Sequence, residues 1–189
     1  MTKKFKFRVN DRLRFECELK SKRCEAHNVN LKRCGKRTVI GLPYCWIHLL
    51  KLYNLRIKES NIPKLGMGLF AMNKKADNNA IIFKKGDTII EYKGELIDEK
   101  ELNKRYGDNT APYGIQVKKD VYIDAACERG AGSLANHSKR NNAEFRILRK
   151  GRVNIGVKLV AVKNIKNNKE IFVDYGDEYE FDEGEHSTG

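Results

Sequence analysis

Four residues in the front third of the chain have the types and spacing of a metal site. Cys24, Cys34, Cys45 and His48 follow the pattern C-x9-C-x10-C-x2-H. Three thiolates and an imidazole form a tetrahedral set suited to zinc, and Cys45-x-x-His48 places two ligands within one turn. In so short a segment, bound metal would supply folding energy that a small apolar core does not. Disulfides and free thiols are the other readings, and disulfides fit poorly with a chain that carries no sign of secretion. Cys17 competes for one ligand position, and His27 is a weaker competitor. Cys127, alone between Ala126 and Glu128, reads as a small apolar packing residue rather than a nucleophile. A structural zinc site is closed and does no chemistry itself, so any catalytic group lies downstream.

There, Gly66-Met67-Gly68 would let backbone approach a ligand, because glycine removes the side-chain obstruction. Taken alone it reads as a tight turn. Asn136-His137-Ser138 likewise reads as a loop, and Tyr92, Tyr113 and Tyr175 as strand tyrosines. The elements that must position these residues are legible in outline. Trp46, Ile47, Leu49, Leu50, Tyr53 and Ile57 recur at helical spacing and predict a helix from Tyr44 to about Arg56. Glu59-Ser60-Asn61-Ile62-Pro63 then punctuates the chain. Short strands are predicted over Thr88–Ile97, Tyr113–Val117, Val121–Asp124, Ala143–Leu148, Arg152–Val162 and Glu170–Val173. One short helix is predicted over Asp98–Tyr106, with Asp98 as N-cap and Glu101 in the capping-box position. There is no βαβ alternation, which argues against a Rossmann-type domain; the fold class is mostly β with minor helix.

Charge divides the chain. Through Lys58 there are 16 Lys or Arg against 4 Asp or Glu, whereas the remainder is nearly balanced and wholly acidic after Lys169. A basic front end could attract DNA or a nucleosome, or simply solubilise a tail. No run is long and apolar enough to span a bilayer, and the first residues lack the apolar core of a signal peptide, so a soluble intracellular protein is expected, with no membrane partner.

Three segments in order, Gly66-Met67-Gly68-Leu69-Phe70-Ala71, Asn136-His137-Ser138 and Glu170-Ile171-Phe172-Val173-Asp174-Tyr175-Gly176, together resemble the SET-domain protein-lysine methyltransferases. The resemblance runs from about Ile57 to Tyr179 and implies a fold of short sheets with a knot-like C-terminal crossing. It implies that Gly66, Met67, Gly68, Asn136 and His137 bind S-adenosylmethionine and that Tyr175 is the active-centre tyrosine. Tyr92, in Glu91-Tyr92-Lys93-Gly94-Glu95, matches a further family segment. Tyr113 resembles the tyrosine of the substrate channel, and core packing is the other reading of both. Val173, two residues before Tyr175, stands where a tyrosine limits methylation in the family, so a di- or trimethyl product is implied. Arg23-Cys24-Glu25-Ala26 and Gly41-Leu42-Pro43-Tyr44-Cys45-Trp46-Ile47-His48 resemble small Cys/His modules found in large DNA viruses.

The chain departs from the family in three places. Ser133-Leu134 stands where Arg-Phe is common, Lys139-Arg140 follows the Asn-His-Ser segment, and there is no cysteine after Cys127. The family's post-SET zinc cluster is therefore missing, as in compact viral and bacterial members, and Tyr179 and Phe181 are candidates to wall the donor pocket. The expected organisation is a basic tail (1–16), a zinc module (17–58), a SET-type domain (59–180) and an acidic tail (181–189). The expected function is methylation of lysine in a basic protein tail such as a histone, in a chromatin-containing compartment, with S-adenosylmethionine and structural zinc. The rival is an inactive SET-like protein that binds chromatin or nucleic acid.

Overall fold

The computed structural model describes residues 2–39 and 41–176; Tyr179 and Phe181 lie outside them. Strands β1 (Thr2–Val9) and β2 (Arg12–Lys20) form an antiparallel hairpin. Its two-residue turn holds Asn10 and Asp11 at φ 46° and 60°, the pair of positive angles that matches strand twist. Alternation decides which face is inward. Phe5, Phe7, Phe15 and Cys17 are half-buried, while their neighbours Lys4, Lys6, Arg8 and Glu16 face solvent. A hairpin thus replaces the tail expected over 1–16, because three aromatic rings at alternate positions have a surface to cover.

That surface includes residue 127. Cys17 is disulfide-bonded to Cys127, with Cα atoms 5.8 Å apart, a common separation for such bridges. Cys17 is therefore not a competing metal ligand, and Cys127 is not a solitary packing residue. The inward face of β2 brings together two thiols that are 110 residues apart in sequence.

Residues 21–45 carry little regular structure and fold around backbone bonds such as Cys24 N to Lys36 O (2.9 Å) and Cys34 N to Ala26 O (2.7 Å). Helix α1 (Trp46–Tyr53) follows. It is shorter than the periodicity predicts, because Asn54 adopts the left-handed conformation (φ 52°) and returns its N–H to Leu50 O. Strands β3 (Leu55–Glu59) and β4 (Met67–Ala71) then pair antiparallel. The boundary expected at residues 58 and 59 thus falls inside a ladder.

Beyond lie β5 (Ile81–Phe83), β6 (Thr88–Tyr92) and β7 (Glu95–Asp98). The single strand predicted over Thr88–Ile97 is broken at Lys93-Gly94, where Gly94 abuts the backbone of Asp124: a Cβ there would sit 2.5 Å from Asp124 O. Helix α2 (Glu99–Tyr106) begins at Asp98, whose side chain accepts from Glu101 N (2.8 Å), as the capping residues predict. β8 (Gly114–Lys118) and β9 (Val121–Asp124) join β7 in a three-stranded sheet of order β7-β9-β8.

The remaining strands are β10 (Asn136–His137), β11 (Ala143–Lys150), β12 (Val153–Ala161), β13 (Ile165–Lys166) and β14 (Phe172–Val173). They build the five-stranded sheet β10-β14-β11-β12-β6, while β13 pairs with β5. β14 lies parallel to both β10 and β11, so the last described strand is inserted between two earlier ones. The main core gathers Leu49, Leu55, Leu69, Ile89, Leu159 and Ile171 around this insertion. A smaller core of Tyr92, Val117, Ile123, Ala125 and Val157 supports the other sheet. Among the described residues no helix is long and apolar enough to cross a membrane.

Candidate functional site

The inserted strand brings the separated motifs together. Asn136 is opposite Phe172 and His137 opposite Val173, and Ser138 N donates to Val173 O (2.9 Å). Asn142 holds the crossing from the far side, accepting from Phe172 N (2.9 Å) and donating to Glu170 O (2.8 Å). Tyr175 N donates to His137 Nδ1 (3.0 Å), and the two rings lie 5.4 Å apart. The Tyr175 hydroxyl donates to Ala135 O at 2.6 Å. The tyrosine is thus fixed at both ends by residues that precede the crossing.

Burial pushes the His137 imidazole below its ordinary pKa, against the opposing pull of Asp174, whose Oδ1 lies 3.8 Å from Nδ1. This favours the neutral ring that the Tyr175 N–H bond requires. Asp174 itself is lowered, first by the Gly176 N–H and further by Lys139 and His137, against an opposing desolvation.

A second group forms around Glu170, a buried side chain with 3% exposure. It accepts from Ser60 Oγ (2.8 Å), Asn61 N (2.8 Å) and Asn136 Nδ2 (3.0 Å). Asn136 Nδ2 also approaches Met67 O at 3.4 Å. Gly68 leaves room for this group: a Cβ would lie 2.2 Å from Glu170 Oε1 and 3.0 Å from Asn136 Nδ2, so either side chain would have to shift. Gly66, at φ +67°, makes the turn that returns its carbonyl to Ser60 N. The glycine-bearing strand, Asn136 and the crossing therefore meet at one carboxylate, which gives a cradle with backbone on one wall. Motif reading places Glu170 only as the first letter of a segment; its partners are far away in sequence and leave no local signal.

Tyr92 ends β6 at the far edge of the five-stranded sheet, and Tyr113 immediately precedes β8 of the three-stranded one. Tyr92 is buried, with its ring edge-on to Phe145 (5.0 Å) and its hydroxyl donating to Tyr113 O (2.9 Å). Burial raises its pKa well above 10, with the nearby Tyr175 and Tyr113 adding to the effect, so it stays protonated. Tyr113 O also accepts from Ala125 N (3.1 Å). The Tyr113 ring lies under the Arg129 guanidinium (4.4 Å) and beside Phe5 of the hairpin (5.5 Å). Arg129 and Phe5 are contributors that sequence reasoning misses. Val173 is fully buried in the main core, against which Tyr175 packs. Behind them, buried Asp124 accepts from Tyr106 Oη (2.8 Å), Arg105 Nη1 (2.9 Å) and Ala126 N (2.9 Å), fixing α2 to β9.

The Cys/His quartet is also assembled. One ligand atom from each of Cys24, Cys34, Cys45 and His48 lies within 4.8 Å of the others. His48 Nδ1 is 3.6 Å from Cys24 Sγ and 3.3 Å from Cys45 Sγ. A tetrahedral zinc with Zn–S near 2.3 Å needs edges of about 3.8 Å, so the donor set fits this metal. His27 is exposed and bridges to Arg33 instead of joining the group.

Comparison with known proteins agrees with this geometry. The family model described as "SET domain" matches residues 66–176. A variant-silencing SET domain-containing protein of Plasmodium falciparum is 31% identical over 65% of this chain and 5% of its own length. The N-lysine methyltransferase KMT5A-B of Xenopus laevis is 33% identical over 50% of this chain and 31% of its own. Among solved structures, Polycomb repressive complex 2 of Chaetomium thermophilum ("ctPRC2"), in an autoinhibited conformation bound to S-adenosylmethionine, matches with a TM-score of 0.55 and 27% identity. That match covers 67% of this chain and 16% of the other. The chain spans less than a third of the length of each of these relatives. The matched segment covers more than half of the chain and contains the glycine strand, the inserted crossing and Tyr175; the chain belongs to the SET-domain family.

Proposed function

We propose that the chain is a protein-lysine N-methyltransferase that uses S-adenosylmethionine and acts on a lysine-rich protein tail such as a histone. The observation that carries this reading is the fixing of Tyr175 between His137 Nδ1 and Ala135 O, beside the Gly68–Asn136–Glu170 cradle. Gly66, Met67, Gly68, Asn136 and His137 would hold the donor, with Tyr179 as a further candidate beyond the described residues. When bound, the donor supplies a sulfonium-activated methyl group, which needs an aligned amine rather than covalent help from the protein.

The protein's task is then to orient a neutral amine. Desolvation by the walls of a narrow channel lowers a lysine pKa and releases the ammonium proton to solvent before transfer. The Tyr175 hydroxyl donates to Ala135 O, which directs its proton away from the oxygen that would accept from the amine. Tyr92 and Ala125 fix the Tyr113 carbonyl, and so the start of the strand carrying the second channel wall. Cys24, Cys34, Cys45 and His48 would hold structural zinc, with no part in transfer. The basic front end suits a chromatin-bound substrate and a chromatin-containing compartment.

Labelled S-adenosylmethionine and core histones test the reading. Tyr175→Phe should keep the fold and lower transfer about a hundredfold or more. No transfer by the unaltered protein would favour a SET-like chromatin-binding protein without activity; unchanged transfer by the variant removes Tyr175 from its role. Val173 leaves room for more than one methyl group, so mass spectrometry should show di- or trimethyl product. A series that stops at monomethyl with donor in excess refutes that assignment.

A further inference from the structure

The zinc-binding module carries a feature that methyl transfer does not use. Residues 28–31 form a tight turn that presents Val29 at 97% and Leu31 at 84% exposure. The turn is stiff. Asn28 Oδ1 accepts from Asn30 N (3.0 Å) and Lys32 N (2.9 Å), while Asn28 N donates to Lys32 O (3.0 Å) and Leu31 N to Asn28 O (3.0 Å). Leu31 is held at φ 58°, a conformation costly for a bulky side chain and better suited to the asparagine beside it. Two large apolar groups are therefore displayed on a rigid tip whose stems carry Cys24 and Cys34.

The surroundings say what the tip meets. Lys20, Lys22, Arg23, Lys32, Arg33, Lys36 and Arg37 are all exposed, against the single acidic residue Glu25 within residues 20–37. Lys20 and Lys22 pair with Glu18 and Glu128. Among the described residues, Arg23, Lys32, Arg33, Lys36 and Arg37 have no carboxylate partner. Arg23 and Arg33 are locked by reciprocal bonds to backbone: Arg23 Nη2 to Arg33 O (3.1 Å) and Arg33 Nη2 to Arg23 O (2.8 Å). An apolar pocket on a protein would accept Val29 and Leu31, but it would leave these cations unmatched. Duplex DNA matches both parts, since phosphates answer the flanking cations and a groove admits an apolar wedge between base steps.

We infer that residues 20–37 form a contact surface for duplex DNA, with the Val29–Leu31 tip entering the minor groove between flanking phosphate contacts. This locates the chromatin contact of the proposed reading on a specific tip, and it stands or falls independently of methyl transfer.

Fluorescence anisotropy with a labelled 20-base-pair duplex, repeated over a salt series, tests it on the full zinc-loaded chain. The unaltered protein should bind with an affinity that falls steeply with salt. Val29→Ser/Leu31→Ser should weaken binding about tenfold or more with the salt slope unchanged, since it removes the wedge and no charge. Lys32→Ala/Lys36→Ala should reduce the log–log slope by about 2. All three proteins should retain zinc and methylate a DNA-free histone peptide equally, because these side chains touch neither site. Wild-type affinity in the Val29/Leu31 variant overturns the wedge, and absence of salt-dependent binding by the unaltered protein overturns the surface. A histone peptide left unmethylated by the unaltered protein would instead count against the enzymatic reading alone.

Discussion

Replacing Gly68 by alanine should damage the proposed donor cradle, chiefly through one identifiable collision. The new methyl would lie 2.2 Å from Glu170 Oε1, whereas carbon and oxygen in contact need about 3.3 Å, so the carboxylate must withdraw by roughly 1 Å. It now accepts three bonds of 2.8 to 3.0 Å. A shift of that size carries one or two of them past the 3.5 Å beyond which a hydrogen bond is lost. Each bond to a carboxylate contributes about 1.5 to 3 kcal/mol, so Gly68→Ala should destabilise the protein by about 3 kcal/mol. For a chain of this length that lowers Tm by about 6–12 °C. Donor affinity measured by calorimetry should fall as well, because Asn136 loses the partner that orients its amide. The discriminating assay is a double-mutant cycle with Glu170→Ala by chemical denaturation. With the carboxylate gone the severe contact disappears and only the 3.0 Å approach to Asn136 Nδ2 remains, so most of the Gly68→Ala cost should vanish in that background. Equal costs in both backgrounds would refute the argument that this glycine is required by Glu170.

Two further outcomes follow from the site's chemistry. Removing zinc with a strong chelator, or making Cys45→Ser, should unfold residues 21–45, since a structural zinc supplies about 10 kcal/mol or more of apparent folding free energy. Metal analysis and tryptic cleavage between Lys22 and Arg37 check this, and a chelated protein as protease-resistant as the untreated one would count against it. His137 has a folded-state pKa below its ordinary 6.5, so below that pH the unfolded chain binds a proton more readily than the folded one. The contribution of the neutral ring is complete above about pH 6.5 and is lost as pH falls through the lowered folded value. Hydrogen exchange at the Tyr175 amide, corrected for its intrinsic pH dependence, should lose protection between pH 7.5 and 5; an unchanged protection factor speaks against this bond as the sensitive element.

Local chemistry was the legible part of this sequence. Asp98 and Glu101 mark the start of α2, and the Cys/His spacing identifies four residues that do converge. The hairpin was legible as well, in the alternation of Arg12-Leu13-Arg14-Phe15-Glu16-Cys17-Glu18-Leu19 and the Asn10-Asp11 turn, but dense positive charge makes the segment read as a tail. Hydrophobic period and charge give opposite indications there, and three inward phenylalanines decide in favour of the hairpin. Glu170 and Arg129 were not legible. A carboxylate that gathers Ser60, Asn61 and Asn136 depends on a crossing between segments more than thirty residues apart. No local propensity encodes such a meeting, and only the family's ordered motifs hint at it.

The insertion of β14 between β10 and β11 also sets the order in which the protein becomes competent. During synthesis the Cys/His segment, the hairpin, Tyr92 and Tyr113 emerge early, and the bond from Cys17 closes once residue 127 is available. Neither Glu170 nor Tyr175 has been made at that point, so a nascent chain has nothing to complete the cradle. Its partners at Ser60, Asn61 and Asn136 wait for the last described residues, which supply the strand that joins β10 to β11. A chain that stops before residue 170 would carry the proposed DNA-contacting tip yet lack both the carboxylate and the tyrosine on which the proposed donor site depends.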